Sequence, residues 1–122
     1  MKKEPRVFLQ HIIESIEDIE EYTQKLTKEE FLKKKYLQDA TIRRIEIIGE
    51  AIKNLPSEFT KKYTFVPWKD ISGMRDKVVH HYFGVDLAIT WKAIKEDIPV
   101  LKENILKILA EVKAKEQTKI QT

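Results

Sequence analysis

Pro5-Arg6-Val7-Phe8-Leu9-Gln10-His11-Ile12-Ile13-Glu14-Ser15-Ile16-Glu17-Asp18-Ile19-Glu20-Glu21-Tyr22 decides the fold class. Phe8, Leu9, Ile12, Ile13, Ile16, Ile19 and Tyr22 recur at steps of three and four residues. That is the period of a helix with one face turned to a core. Glu14, Glu17, Asp18, Glu20 and Glu21 occupy the positions between them. Pro5 suits a first helical turn, where its missing N–H leaves no bond unmade.

The period returns further along the chain. Thr27-x-x-Glu30 has the form of a capping box for a second segment carrying Phe31, Leu32, Tyr36 and Leu37. It bends and continues through Ile42, Ile45, Ile48, Ala51, Ile52 and Leu55, and Pro56 ends it. Residues 57–67 form a short helix or structured loop closing at Val66-Pro67, Trp68 to Ile71 make one turn, and Ser72-Gly73 breaks it. The next helix runs from Arg75 to about Phe83, with Gly84 as its stop. Asp86 caps a last long helix with Leu87, Trp91, Ile94, Ile98, Leu101, Ile105, Ile108 and Val112 on its apolar face; Pro99 kinks or splits it. The expected architecture is an all-α bundle of four or five helices, one domain over residues 1–115 with a frayed polar tail at 116–122.

Composition agrees. Hydrophobic residues are 42% of 122, enough for a core, so the 35% of charged residues belong to helix surfaces rather than to a disordered chain. Three glycines and four prolines leave little turn chemistry. No cysteine is present, which excludes disulfides and thiolate metal sites and fits a reducing cytoplasm. Met1-Lys2-Lys3-Glu4-Pro5 leads into an amphipathic stretch rather than a signal-type apolar block, and no apolar run approaches the ~20 residues of a membrane span. The net charge of +3 permits a nucleic-acid partner without requiring one.

The chemistry concentrates in Arg75-Asp76-Lys77-Val78-Val79-His80-His81-Tyr82. A guanidinium donates bidentate hydrogen bonds to phosphate oxygens, and an imidazole moves protons near neutral pH. Each residue also has an ordinary use. Arg75 suits an ion pair with Glu46 or Glu50, His80 suits a helix C-terminus, and Tyr82 suits packing beside Phe83. On an ideal helix Arg75 and His80 stand about 140° apart and roughly 7.5 Å along the axis. Either the helix end distorts before Gly84, or a partner chain brings the complementary group. His80 and His81 diverge as neighbours on a helix, so no metal and no cofactor are expected. His11 reads as a helix-face residue, and Trp68 and Trp91 as core or interface anchors. Lys33-Lys34-Lys35, Arg43-Arg44 and Lys61-Lys62 are solvated faces with the charge to follow RNA phosphates.

An ordered set of motifs resembles the HepT-like toxins of the HEPN superfamily: Arg44-Ile45-Glu46-Ile47-Ile48-Gly49-Glu50-Ala51, Val66-Pro67-Trp68, Gly73-Met74-Arg75, His80-His81-Tyr82-Phe83 and Val85-Asp86. The resemblance covers roughly the last two-thirds of the chain. It implies a homodimeric HEPN-type bundle whose two Arg-x4-His-x-Tyr motifs line a cleft between protomers. It implies a metal-independent endoribonuclease toxin that cleaves RNA by 2′-hydroxyl attack, with Arg75 and His80 catalytic. The implied partner is an MNT-type nucleotidyltransferase antitoxin that adenylylates Tyr82. Asp76 stands where many relatives have asparagine; Asp76 and Glu50 are candidates to orient Arg75. A different class of function, a non-catalytic helical subunit that binds the nucleotidyltransferase, uses the same surface.

Overall fold

Three long helical stretches carry the architecture: α1 (Pro5–Thr23), α3 (Lys35–Lys53) and α8 (Ile98–Gln121), with α1 packed against both others. The computed structural model describes residues 4–80 and 84–121, with side chains for 4–78 and 86–117. Shorter helices join them: α2 (Lys28–Lys33), α4 (Ser57–Lys62), α5 (Trp68–Ser72), α6 (Met74–Val78) and α7 (Leu87–Lys92). The fold is all-α, as the spacing predicts, but its connections contain more short helices than four or five elements allow for.

The core is where the periodicity puts it. Leu9, Ile12, Ile16 and Ile19 of α1, Ile45 and Ile48 of α3, and Ile98, Leu101, Ile105 and Ile108 of α8 are at most 2% exposed. Each such side chain contributes about 1.5–3 kcal/mol by leaving water. Ile42, Ala51, Ile52 and Leu55 are buried as well, whereas Leu32 and Tyr36 are exposed. The chain breaks at Lys34 (φ −111°, ψ 85°). Phe31 turns inward against Trp91, at 5.3 Å between ring centroids, while Leu32 and Tyr36 are left in solvent. The Phe31 carbonyl accepts both the Lys34 N–H at 3.2 Å and the Gln38 side-chain amide at 2.8 Å, which stabilises the bend.

The capping signals take their expected places. Thr27 Oγ1 accepts from Glu30 N–H at 3.1 Å and Thr27 N–H donates to Glu30 Oε1 at 2.9 Å, closing the capping box. Asp86 Oδ1 accepts from Ile89 N–H at 3.0 Å. The Trp68 indole donates to the carbonyls of Thr60 and Tyr63, tying the start of α5 to the end of α4. The last helical stretch is interrupted just before Pro99, in line with the expected split. One π-helical turn, Ala93–Asp97, lies between α7 and α8, and Ile98 N–H reaches back five residues to Ala93 O. The wider turn accommodates a residue that has no N–H and whose ring crowds the preceding turn.

The largest departure lies beyond Arg75. The helix does not run to Phe83; it ends at Val78, and Val79–His80 (β1) pairs antiparallel with Gly84–Val85 (β2). Val79 stands opposite Val85 and His80 opposite Gly84, and Asp86 N–H donates to Val78 O at 2.7 Å. Two consecutive β-branched residues, Val78 and Val79, sit where the helix gives way to the strand, and Gly84 opens the returning strand. His81, Tyr82 and Phe83 lie outside the described residues.

Candidate active site

Arg75 sits in the first turn of α6, just after the Gly73 turn that ends α5. Both short helices rest on α3. Gly49 makes this close approach possible: a Cβ there would stand 3.2 Å from the Ser72 carbonyl oxygen. With α5 seated on Gly49, the neighbouring turns of α3 present Glu46, Glu50 and Lys53 to α6. Glu46, Gly49, Glu50, Lys53, Ser72, Arg75 and Asp76 line a recess of about 180 Å³.

The guanidinium in this recess is held loosely. Arg75 Nε lies 3.5 Å from Glu46 Oε2, and a terminal nitrogen lies 3.5 Å from Asp76 Oδ1. Both distances are at the outer limit of a hydrogen bond. The Arg75 side chain is 43% exposed and that of Asp76 79%. Ion pairs this long and this wet contribute about 0–1 kcal/mol, so an incoming phosphate can replace them. Of the two acidic residues weighed as Arg75's partner, Glu46 makes the ion pair; Glu50 lines the recess without one among the described residues. Asp76 contacts the guanidinium directly.

His80 is placed by its backbone on β1, five residues after Arg75 and past the end of α6. Its side chain, and Tyr82 entirely, are outside the description. The structure therefore brings Arg75, Asp76, Glu46 and Glu50 together and fixes the strand from which His80 projects. Among the described residues no three His, Asp or Glu side chains converge as a metal site would require, and no helix is long and apolar enough to cross a membrane.

A second recess, about 400 Å³, opens on the other side of Glu46 and Glu50. Phe8 and His11 of α1 and Arg43, Ile47 and Asn54 of α3 line it. Phe8 and His11 meet edge to face, with ring centroids 6.5 Å apart and planes at 87°. Sequence reasoning left His11 on a helix face and did not join it to the Arg75 region. The available signal was the α3 stripe Arg43, Glu46, Ile47, Glu50 and Asn54, whose three- and four-residue steps put these residues along one side of the helix.

Comparison with known proteins agrees with the motif order. The profile of a family described as "Ribonuclease HepT-like" matches residues 12–108. A Methanocaldococcus jannaschii protein named "gamma-glutamylcyclotransferase and putative RNase" is 59% identical over 112 residues, 92% of this chain but 50% of that protein. A "putative RNase" of Caldanaerobacter subterraneus is 46% identical over 111 residues, 91% of this chain and 99% of the relative. A "probable ribonuclease HepT" of Thermococcus cleftensis is 47% identical over 108 residues, 88% and 98% respectively. The chain thus spans half of the first protein and nearly all of the other two. No solved structure matches it.

Proposed function

Because the chain belongs to the HepT-like ribonuclease family, we propose that it is an endoribonuclease that cuts RNA at Arg75 and His80 without a metal ion. The ribose 2′-hydroxyl attacks the adjacent phosphorus as His80 takes its proton. The P–O5′ bond breaks, and the leaving oxygen is protonated by an imidazolium or water. Arg75 stabilises the charge that grows on the phosphoryl oxygens. The products are a 2′,3′-cyclic phosphate and a 5′-hydroxyl. DNA, lacking the 2′-hydroxyl, is not cut.

The observation that carries this reading is the state of Arg75. It is a half-exposed guanidinium at a phosphate-sized recess, restrained among the described residues by two ion pairs at 3.5 Å, with His80 following on an extended strand. A buried, tightly paired arginine would have argued for a structural role. We assign the active form to a homodimer in which two such motifs share a cleft, working in the cytoplasm as the toxin of a toxin–antitoxin pair. Its antitoxin would be an MNT-type nucleotidyltransferase that silences it by adenylylating Tyr82. This assignment draws on the family resemblance and on the motif Arg75-x4-His80-x-Tyr82.

The test is incubation of metal-free protein with mixed cellular RNA in EDTA, beside the His80→Ala variant, with product ends analysed and intact mass read on the same sample. Cyclic-phosphate ends from the wild type alone are expected. Unmodified, folded wild type that leaves RNA intact would replace the nuclease with a helical subunit whose work is to bind the nucleotidyltransferase.

A further inference from the structure

We propose that the recess between α1 and α3 is a guanine-binding subsite, which selects the nucleotide next to the phosphate held by Arg75. The proposal rests on the ribonuclease reading above and adds which base that site prefers. Size separates the two recesses. At about 180 Å³ the Arg75 recess has room for a phosphate, whereas the neighbouring one, about 400 Å³, falls in the range of small-molecule sites. They share Glu46 and Glu50, so a nucleotide whose phosphate lies at Arg75 has its base within reach of the larger recess.

The lining suits a base. Proteins that read single-stranded RNA stack splayed bases on aromatic rings and bind their edges with polar groups. Phe8 and His11 supply rings, and Ile47 supplies apolar floor. The polar rim joins acceptors on Glu50 and Asn54 to one strong donor, the Arg43 guanidinium, which suits the guanine O6 carbonyl beside N1–H. Asn54 donates one of its two amide N–H groups to the Glu50 carbonyl at 2.9 Å, and its Oδ1 remains an acceptor. Carboxylates only accept. Glu46 stands 3.5 Å from Arg75, on the side where the phosphate binds, whereas Glu50 has no ion pair among the described residues and is the carboxylate assigned to the base edge. Guanine alone offers two adjacent donors, N1–H and N2–H₂, which one carboxylate can accept together. Adenine and cytosine each place an acceptor nitrogen beside their amino group, and uracil has a single N–H between two carbonyls.

The experiment is an NMR titration of the full chain with 2′-O-methyl trinucleotides, which cannot be cleaved, carrying G, A, C or U at the central position. Binding of the G strand about tenfold tighter than the others is expected, with shifts in the His11 ring and Asn54 side-chain signals. Glu50→Gln, checked for folding by circular dichroism, should bring the G strand to the level of the other three. His11→Ala should weaken all four. Equal binding of all four strands by wild type, or a His11 signal that stays still because a second copy covers it, would overturn the subsite. Cleavage of the matching RNA is assayed in parallel. Selective G binding without cleavage sinks the nuclease and keeps the subsite; cleavage without selectivity does the reverse.

Discussion

Replacing Glu46 with glutamine should tighten RNA binding while leaving the fold almost untouched. Glu46 is one of two carboxylates at 3.5 Å from the Arg75 guanidinium, and the less exposed of them, its side chain being 37% exposed against 79% for Asp76. A phosphate arriving at Arg75 must displace that contact and tolerate the remaining negative charge. Exposed pairs of this kind measure about 0.2–1 kcal/mol. Removing the charge therefore lowers the dissociation constant by about 1.4- to 5-fold at low salt. The gain should be the same for every RNA sequence, since it acts on a phosphate contact, and should shrink as salt screens both partners. The assay is fluorescence anisotropy of labelled single-stranded RNA with Glu46→Gln made in a His80→Ala background, so that nothing is cut during titration. Urea unfolding of the same protein should move by less than about 1 kcal/mol. Weaker binding, or a stability loss above that limit, would refute the account: Glu46 would then hold Arg75 in place rather than compete for it.

Two other substitutions test the scaffold behind the site. Gly49→Ala puts a methyl 3.2 Å from the Ser72 carbonyl; the helix-propensity gain of about 1 kcal/mol is opposed by an overpacking cost of about 1–3 kcal/mol. Stability measured by urea unfolding should change little or fall, while RNA affinity drops because α5 carries the Arg75 turn with it; unchanged affinity would free Arg75 from dependence on this approach. Thr27→Ala removes the side-chain half of the capping box and should cost about 1 kcal/mol in thermal or urea unfolding, whereas no loss would mean α2 is held by Phe31 packing alone. The hydrogen bonds from the Thr27 backbone and side chain hold the Glu30 carboxyl below the usual carboxylate range. A depressed carboxylate stabilises the fold above its unfolded pKa and loses that contribution as pH falls through the folded one. The difference between wild type and Glu30→Gln should therefore narrow in acid, below the normal carboxylate range; a difference that stays constant with pH would contradict it.

Periodicity recovers the long helices because their stability comes from one apolar face, and a face is a local pattern. Ile42, Ile45, Ile48, Ala51, Ile52 and Leu55, the positions the spacing assigns to the apolar face, are all buried, and Asp86 and Thr27 cap where short polar side chains should. Leu32 and Tyr36 mislead because one non-helical residue, Lys34, breaks the phase between the helix that carries Leu32 and the one that carries Tyr36. Pro99 signals the interruption but not its form, a five-residue π turn that lies before it. At the site, chemistry and the family resemblance single out Arg75 and His80 for the proposal, but the end of α6 was not legible. A pair of β-branched residues is a weak local signal, and the pairing of Val79 with Val85 is a contact across a loop. The Arg75–Glu46 contact spans 29 positions and had an equal rival in Glu50 until packing on Gly49 set the register. His11 joined the region only through the docking of α1 on α3.

The extended step after Val78 bears on which chain completes the site. An unbroken helix would separate the Cα atoms of Arg75 and His80 by roughly 7.5 Å along its axis. Ending the helix at Val78 replaces two rises of about 1.5 Å with two of about 3.3 Å, so His80 is carried further from Arg75 along the chain direction. The extended step lengthens the path along the chain from Arg75 to His80, and the proposed homodimer leaves two arrangements: both groups from one protomer, or Arg75 of one copy working with His80 of another. Complementation decides between them. Arg75→Ala and His80→Ala are each expected to be inactive; mixed, unfolded and refolded together, half of the dimers should be hybrids, each with one intact and one doubly defective site. Activity should then return to about a quarter of wild type, as two-fold symmetry requires. If both groups come from the same protomer, every site in the hybrid lacks one of them. The mixture would then stay as inactive as its components, and the longer reach would have to be closed by the side chains themselves.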